Sequence, residues 1–392
     1  MVSSRPHRLL SNATALAFMV VLALHPISSH AEAIATTAKQ LYIMDAGTGA
    51  VLAQKNANQL MVPSSMSKLM TLYMVFRKLK SGSWTMDDKV VVSVRAWKKH
   101  YRTGESLMFL PAGAQVSIGK LIRGVIVDSG NDACTVLAEA YAGTESAFAA
   151  DETRYAHEKL GLMHSTFRNA SGVPAPGHLM TARDLAVLAR DIIVNFPQYY
   201  PMFSQKTFTY NHITQHNRNS LLWTLPGADG LKTGHTDAGG YGVVASAVRG
   251  HRRIILVANG WKTDLERRNE SRRLMNWAFK EFKDYPLVKK GEPVTTASVW
   301  LGRDTTVPLL AGRNMVVTMA RESRPEMKVR AVYNGPIAAP IVKGQVVGKL
   351  EVTAPGISEQ DIPLVAGANV ARLGYIGRIR AAVRYLLWGP SH

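Results

Sequence analysis

The chain has 392 residues, 46% of them hydrophobic and 8% aromatic, too long for one ordinary domain and too apolar for a disordered polymer. Lysine and arginine total 47 against 28 acids, a formal charge of +19, so anionic partners are favoured. The single cysteine, Cys134, excludes an intrachain disulfide.

The first stretch, MVSSRPHRLL, carries Arg5 and Arg8 and no acid. Ala13 to Leu24 is small and apolar apart from Thr14, and HPISSHAEA then supplies a break and small residues. This is the three-part pattern of a secretory signal over residues 1–31, with cleavage expected after Ala31 or Ala33. The apolar run is too short to span a bilayer comfortably. The mature chain is therefore expected to work outside the cytoplasm. An exported basic protein without interleaved aromatic and basic stripes meets anionic lipid or acidic cell-wall polymer, and no nucleic acid is expected.

From about Thr37 to Tyr285, strand-like and helix-like segments alternate. QLYIMDAGTGAVLAQ predicts two short strands around an Asp-Ala-Gly turn. SMSKLMTLYMVFRKLK, from Ser65, has apolar residues at Met66, Leu69, Met70, Leu72, Tyr73, Val75, Phe76 and Leu79, a nearly all-round apolar helix of core type. Lys68 sits inside that pattern one turn after Ser65, so ammonium and hydroxyl share a face. Taken alone, a cap at Ser64 or Ser65 with Lys68 reaching out to water explains the pair. TARDLAVLARDII reads as an amphipathic helix with Thr181 as N-cap. YNHITQHNRN has the composition of a loop. Its His212 and His216 have a metal-like spacing, but no glutamate follows His212 and no metal site is expected. KTGHTDAGGYGVVASAVRGHRRIILVANG gives successive strands punctuated by glycines, then a helix from about Arg267 to Phe282. Near KDYPLVKKGEPV the texture changes to short alternating runs (VWLGR, TTVPLLA, NMVVTMA, KVRAVYN, GKLEVTA), the pattern of a small all-β domain. GYIGRIRAAVRYLLWG returns to helical spacing.

Two S-x-x-K matches occur, Ser65 to Lys68 and Ser117 to Lys120, and order and spacing separate them. After Ser65 the chain offers Ser129, Gly130, Asn131 and then Lys232, Thr233, Gly234. Ser117 comes too soon before Ser129 and reads as a helix N-cap. The stray Lys80, Ser81, Gly82 precedes Ser129 altogether, at what reads as a helix end.

The triple S-x-x-K, S-x-N, K-T-G in that order resembles the serine enzymes that react with penicillin. PSSMSKLMT, VDSGNDAC and DGLKTGHTDAGGYG are similar specifically to the D-alanyl-D-alanine carboxypeptidases, the low-molecular-mass penicillin-binding proteins, and the similarity covers nearly the whole mature chain. The resemblance implies an α/β (α+β) transpeptidase fold of the penicillin-binding and β-lactamase type over residues 34–285. A small β-sandwich-like domain over 286–371 and an amphipathic, membrane-associating tail over 372–392 would follow. It implies removal of the terminal D-alanine from peptidoglycan stem peptides ending in D-Ala-D-Ala, without a cofactor and with β-lactams as inhibitors. Ser65 would be the nucleophile and Ser129 the relay to the leaving amine. Asn131 would hold the substrate backbone, and Lys232 and Thr233, with Gly234, would meet the terminal carboxylate. The N–H groups of Ser65 and His235 would form the oxyanion site.

A serine hydroxyl needs a base within hydrogen-bond reach, and Lys68 is placed for that role. An ordinary lysine titrates near about 10.4, so burial and a second cation, Lys232, are expected to hold it partly neutral.

RTGESLMFL resembles the family's Gly-Ser-Ser loop but has Glu105 where a serine is usual, so it stays outside the catalytic set. His164, Asn169, His178 and Asp184 fall in a stretch similar to the loop bordering the cleft, where turn and cap chemistry accounts for them as well as function does. Cys134 reads as a small buried filler. A class A β-lactamase would carry Glu-x-x-Leu-Asn where this chain has HSTFRNASG. A D,D-endopeptidase would use the same residues, whereas a non-catalytic peptidoglycan-binding envelope protein would not need Ser65, Lys68, Ser129 and Lys232 intact. In the tail, Ile376, Ile379, Val383, Leu386 and Leu387 form one apolar stripe with Arg378 and Arg384 away from it, which suits a helix lying at an anionic membrane surface.

Overall fold

In the computed structural model, residues 34–388 are described; the expected signal segment and its cleavage positions lie outside them. β1 (Gln40–Asp45) and β2 (Val51–Lys55) pair antiparallel around the expected turn. A 3-10 turn, Ser64–Ser67, runs directly into α1 (Lys68–Lys80), so Ser65 stands on that turn and not on the α-helix itself. β3 (Lys89–Val91), α2 (Val94–His100) and β4 (Gln115–Ser117) follow, with β3 and β4 paired. α3 (Ile118–Arg123), capped by Ser117 Oγ, passes through a π-turn at Gly124–Asp128 to α4 (Asn131–Ala142) and α5 (Glu145–Leu160). α6 (Ala182–Asn195) begins where Thr181 Oγ1 accepts the Asp184 amide. YNHITQHNRN is not a simple loop: β5 (Thr207–Tyr210) and β6 (Ile213–His216) form a hairpin whose two turn residues, Asn211 and His212, have φ of 47° and 62°. α7 (Leu221–Thr224), β7 (Ala228–Thr236), β8 (Gly240–Arg249), β9 (Arg252–Trp261) and α8 (Asp264–Glu281) complete this part; α8 starts ahead of Arg267 because Thr263 caps it.

The central sheet has the order β2-β1-β9-β8-β7, every neighbour antiparallel. Both of its faces are covered, which is why the middle of β9, Ile254 to Ala258, reads as an unbroken apolar run. Ile255 and Val257 join the core shared with α1, α4 and α6, while Ile254, Leu256 and Ala258 join a second core with Leu274, Met275 and Ala278 of α8. α1 is buried from Lys68 through Phe76, so its first residue enters the interior by the same packing that buries Leu69, Met70 and Leu72.

The all-β part comprises β10 (Phe282–Val288), β11 (Pro293–Trp300), β12 (Thr306–Ala311), β13 (Met315–Ala320), β14 (Lys328–Tyr333), β15 (Ile337–Ala338), β16 (Val346–Thr353) and β17 (Gln360–Ala366). A six-stranded sheet, β14-β16-β17-β12-β11-β15, and the β10-β13 pair share one core that includes Val307, Leu309, Val317, Val352 and Leu364. β10 runs through positions 285 and 286, where the sequence texture changes. Arg252 of β9 bridges Asp45 and Asp284, tying the two parts together. The last described element is α9 (Tyr375–Trp388). Among the described residues no helix is long and apolar enough to cross a membrane.

Candidate active site

Four segments converge on Ser65. The first is its own turn, which packs so closely on two others that side chains there are excluded. A Cβ on Gly172, at φ +78°, would lie 2.0 Å from Ser64 O, and one on Gly234 would lie 3.0 Å from Pro63 O and from Ser64 Cβ. The K-T-G strand β7 and the 169–173 loop therefore close on either side of the turn. Ser64 Oγ and Thr236 Oγ1, 2.8 Å apart, add a bond between turn and strand. The start of α4, bearing Asn131, supplies the fourth side.

Lys68 is fully buried, and its Nζ has three oxygen neighbours: Ser65 Oγ at 2.7 Å, Asn131 Oδ1 at 2.7 Å and Ser171 O at 2.5 Å. Burial pulls its pKa down to about 8; Arg218 lowers it further, while Glu105 and Asp132 oppose the change. Lys232, also buried and donating to Thr233 O at 3.1 Å, is pushed well below the usual lysine range by burial, then by Lys68 and Arg218. The cation that lowers Lys68 is Arg218, whose guanidinium donates to Ser106 Oγ, whereas Lys232 is itself lowered by Lys68.

Ser129 is buried at the end of the π-turn with φ 57°, a left-handed conformation disfavoured for a residue with a side chain and common at functional sites. Asn131 and Thr233 are buried, and His235 is exposed with its ring stacked on Tyr241 at 3.8 Å. Direct hydrogen bonds join Ser65, Lys68 and Asn131, and Lys232 couples to them through charge. Ser117 is engaged as the cap of α3, away from this cluster.

The loop beside the cleft does its work through the backbone. Asn169 Oδ1 accepts from the N–H groups of Ser171 and Gly172 and so presents Ser171 O to Lys68. Asp184 accepts from His164 N and Ser165 Oγ, and His178, driven down to about 4 by burial, accepts from Arg168 N. Cys134 is a buried thiol pushed up to about 12 by burial. His212 sits on a hairpin turn and His216 opposite Thr207. Three carboxylates, Glu351, Glu359 and Asp361, gather in the β domain, but Lys349 Nζ sits on all three.

Three participants escaped the sequence patterns. Ser171 contributes only a carbonyl, which leaves no side-chain signal. Arg218 belongs to the polar stretch NRN, and Glu105 carried a signal, the departure from Gly-Ser-Ser, whose meaning needed the coordinates: its carboxylate accepts from Asn131 Nδ2 at 2.9 Å.

Residues 27–263 match the family described as D-alanyl-D-alanine carboxypeptidase, and residues 282–372 match the penicillin-binding protein 5 C-terminal domain. The D-alanyl-D-alanine carboxypeptidase DacC of Escherichia coli is 40% identical over 352 residues, which cover 89% of this chain and 88% of that protein. Penicillin-binding protein 5 from Haemophilus influenzae superposes with a TM-score of 0.76 at 35% identity, covering 86% of this chain and 98% of that one. Penicillin-binding protein D2 from Listeria monocytogenes with ampicillin bound superposes at 0.56 and 27% identity, covering 63% of this chain and 99% of that one. The chain therefore belongs to the D-alanyl-D-alanine carboxypeptidase family of serine-type hydrolases.

Proposed function

We propose that the chain removes the terminal D-alanine from peptidoglycan stem peptides through an acyl-enzyme on Ser65. The observation that carries this reading is the set of partners around Lys68 Nζ. A neutral amine has two hydrogens and one lone pair. Asn131 Oδ1 and Ser171 O can only accept, so they take the two hydrogens and leave the lone pair to the Ser65 hydroxyl. That is the geometry a general base needs, and a pKa near 8 gives a usable neutral fraction at physiological pH.

Ser65 Oγ attacks the carbonyl carbon of the penultimate D-alanine as its proton passes to Lys68. The oxyanion is met by the N–H groups of Ser65 and His235, which the close approach of Gly234 to the Ser64 turn brings near each other. Ser129 returns a proton to the departing amine. Lys232 and Thr233 receive the terminal carboxylate, and the second N–H of Asn131 Nδ2 is left for the substrate backbone. Water then hydrolyses the ester. Among the described residues no carboxylate is bonded to Lys68, so β-lactams, one of which the Listeria relative holds, are inhibitors and not substrates that turn over quickly.

The protein works in the periplasm or envelope after loss of residues 1–31, with its catalytic part over 34–285, its β domain over 286–371 and its tail at the membrane. α9 supports the last point: Ile376, Ile379, Val383, Leu386 and Leu387 are all at least 48% exposed. Release of D-alanine from a D-Ala-D-Ala pentapeptide tests the activity. Ser65→Ala is expected to abolish it and Ser117→Ala to leave it within a few-fold; the reverse result, or penicillin hydrolysis at about 10 per second or more, defeats the reading.

A further inference from the structure

Asn131 is held between a group that donates and a group that only accepts. Lys68 Nζ donates to its Oδ1 at 2.7 Å, and its Nδ2 donates to Glu105 Oε2 at 2.9 Å. Turned end over end, the amide would set Nδ2 against the lysine and Oδ1 against a carboxylate, so the two neighbours fix its orientation. The same Glu105 Oε2 meets His100 Nδ1 at 3.0 Å, and buried His100 meets Thr135 Oγ1 through Nε2 at 2.9 Å. A neutral imidazole donating from Nδ1 accepts the Thr135 hydroxyl at Nε2, so the chain is satisfied with Glu105 ionised. Partial burial opposes that ionisation, but the hydrogen bonds from Asn131 and His100 outweigh it and hold the carboxyl below its ordinary range. The backbone bearing Glu105 is pinned as well. Ser106 O accepts Asn131 N at 2.8 Å, and the Asp132 carboxylate accepts Met108 N and Leu110 N at 2.8 and 3.0 Å.

We propose that Glu105, braced by His100, is a positioning residue for the reaction at Ser65: it sets the Asn131 amide so that Oδ1 faces Lys68. This rests on the reading of Lys68 as the base. With the amide reversed, an N–H of Asn131 would point at the lysine nitrogen and compete with Ser65 for its lone pair. The other charged or titratable groups coupled to Lys68 are Asp132 and Cys134 from α4, His178 from the loop before α6, Arg218 from the segment after β6, and Lys232 from β7. Glu105 is one of those that favour the protonated lysine.

The test compares Glu105→Gln, whose amide oxygen accepts from both Asn131 and His100, with Glu105→Ala, which has no acceptor. In the purified full chain, kcat and KM for D-alanine release and the rate of penicillin acylation are measured across pH. Glu105→Ala is expected to lose about ten-fold in kcat and in acylation with KM within about three-fold. Glu105→Gln is expected to stay within about three-fold of the parent, with the acid limb of its rate profile lower by on the order of half a pH unit, because a negative charge near Lys68 is gone. Parental rates in Glu105→Ala overturn the proposal, and so does a Glu105→Gln enzyme as slow as Glu105→Ala. If Glu105→Ala loses its cooperative thermal transition, the Glu105→Gln limb decides, and an unmoved limb overturns it. Ser65→Ala runs alongside: should it still acylate, the nucleophile itself is misassigned, whereas an inert Ser65→Ala beside a parental Glu105→Ala defeats only the positioning role.

Discussion

Gly172→Ala perturbs the closest backbone approach at the site without touching a reacting atom. The new Cβ would fall 2.0 Å from Ser64 O and 2.6 Å from Ser67 Oγ, where ordinary contact begins at 3.4 Å, so the loop or the turn must move by more than about 1 Å. Alanine at φ +78° adds roughly 1–2 kcal/mol of left-handed strain, and the overlap adds about 1–3 kcal/mol, for a destabilisation of about 2–5 kcal/mol. Either movement acts on catalysis. Ser171 O, one residue away, holds Lys68 Nζ at 2.5 Å, and Ser64 directly precedes Ser65. A displacement of about 1 Å between base and nucleophile is worth about 100-fold in kcat. Gly143→Ala is the control, since Gly143 has φ +77° but nothing within 4 Å of its Cβ position. It should cost only the backbone strain of roughly 1–2 kcal/mol and leave kcat unchanged. Denaturant unfolding and D-alanine release on both variants decide the matter. A Gly172→Ala enzyme within about three-fold of parental kcat, or a Gly143→Ala enzyme equally slowed, would refute the reasoning.

Lys68 must lose its proton to act, so the acylation rate should climb with pH through a midpoint near 8 and then level; a flat profile from pH 6 to pH 10 would count against the base. Lys68→Arg, which cannot deprotonate, should fall at least about 100-fold. Asp128 is buried with Oδ1 unpartnered among the described residues, and burial followed by Asp132 raises it from 3.8 to about 7, with Arg218 opposing. The folded chain therefore holds a proton that the unfolded chain releases in that window, and stability falls as pH rises through it. Asp128→Asn should remove that loss, a gain on the order of 2 kcal/mol at pH 8 and little at pH 4, read from denaturant midpoints; equal differences at both pH values would contradict it. Deleting residues after Ala371 should leave short-peptide turnover intact and shift the protein from membrane to soluble fractions. Continued sedimentation with membranes, or collapse of turnover, would make α9 structural.

How much of this was legible depends on where each signal resides. α1 announced itself because burial on all sides leaves an apolar run that only a core helix explains, and Lys68 stood out against it. The strand β9 was legible in a similar way, through the apolar IILVA within RRIILVANGW, but the covering of its sheet on both faces was not. The β5–β6 hairpin was not, although Thr207 to Tyr210 alternates. A two-residue turn with positive φ at both positions is ordinarily written Asn-Gly, and here His212 replaces the glycine, removing the cue. The apolar spacing predicts Ser65 on the first turn of an α-helix, but the chain tightens to 3-10 there, which still sets residues three apart on one face. The partners of Asn131 and Lys68 were the least legible. Glu105, Ser171 and Arg218 come from three polar segments whose periodicity carries no tertiary information, and one of them acts through a carbonyl alone.

Ser65 carries the acyl group in this mechanism, and mapping the site of covalent attachment checks that assignment without an intervening step. The folded full chain is treated with a penicillin, quenched, digested and analysed by mass spectrometry of its peptides. One penicilloyl adduct is expected, on the peptide containing Ser65, absent from Ser65→Ala and retained in Ser117→Ala. An adduct on Ser117 or Ser129, or none on a folded parent chain, would contradict it.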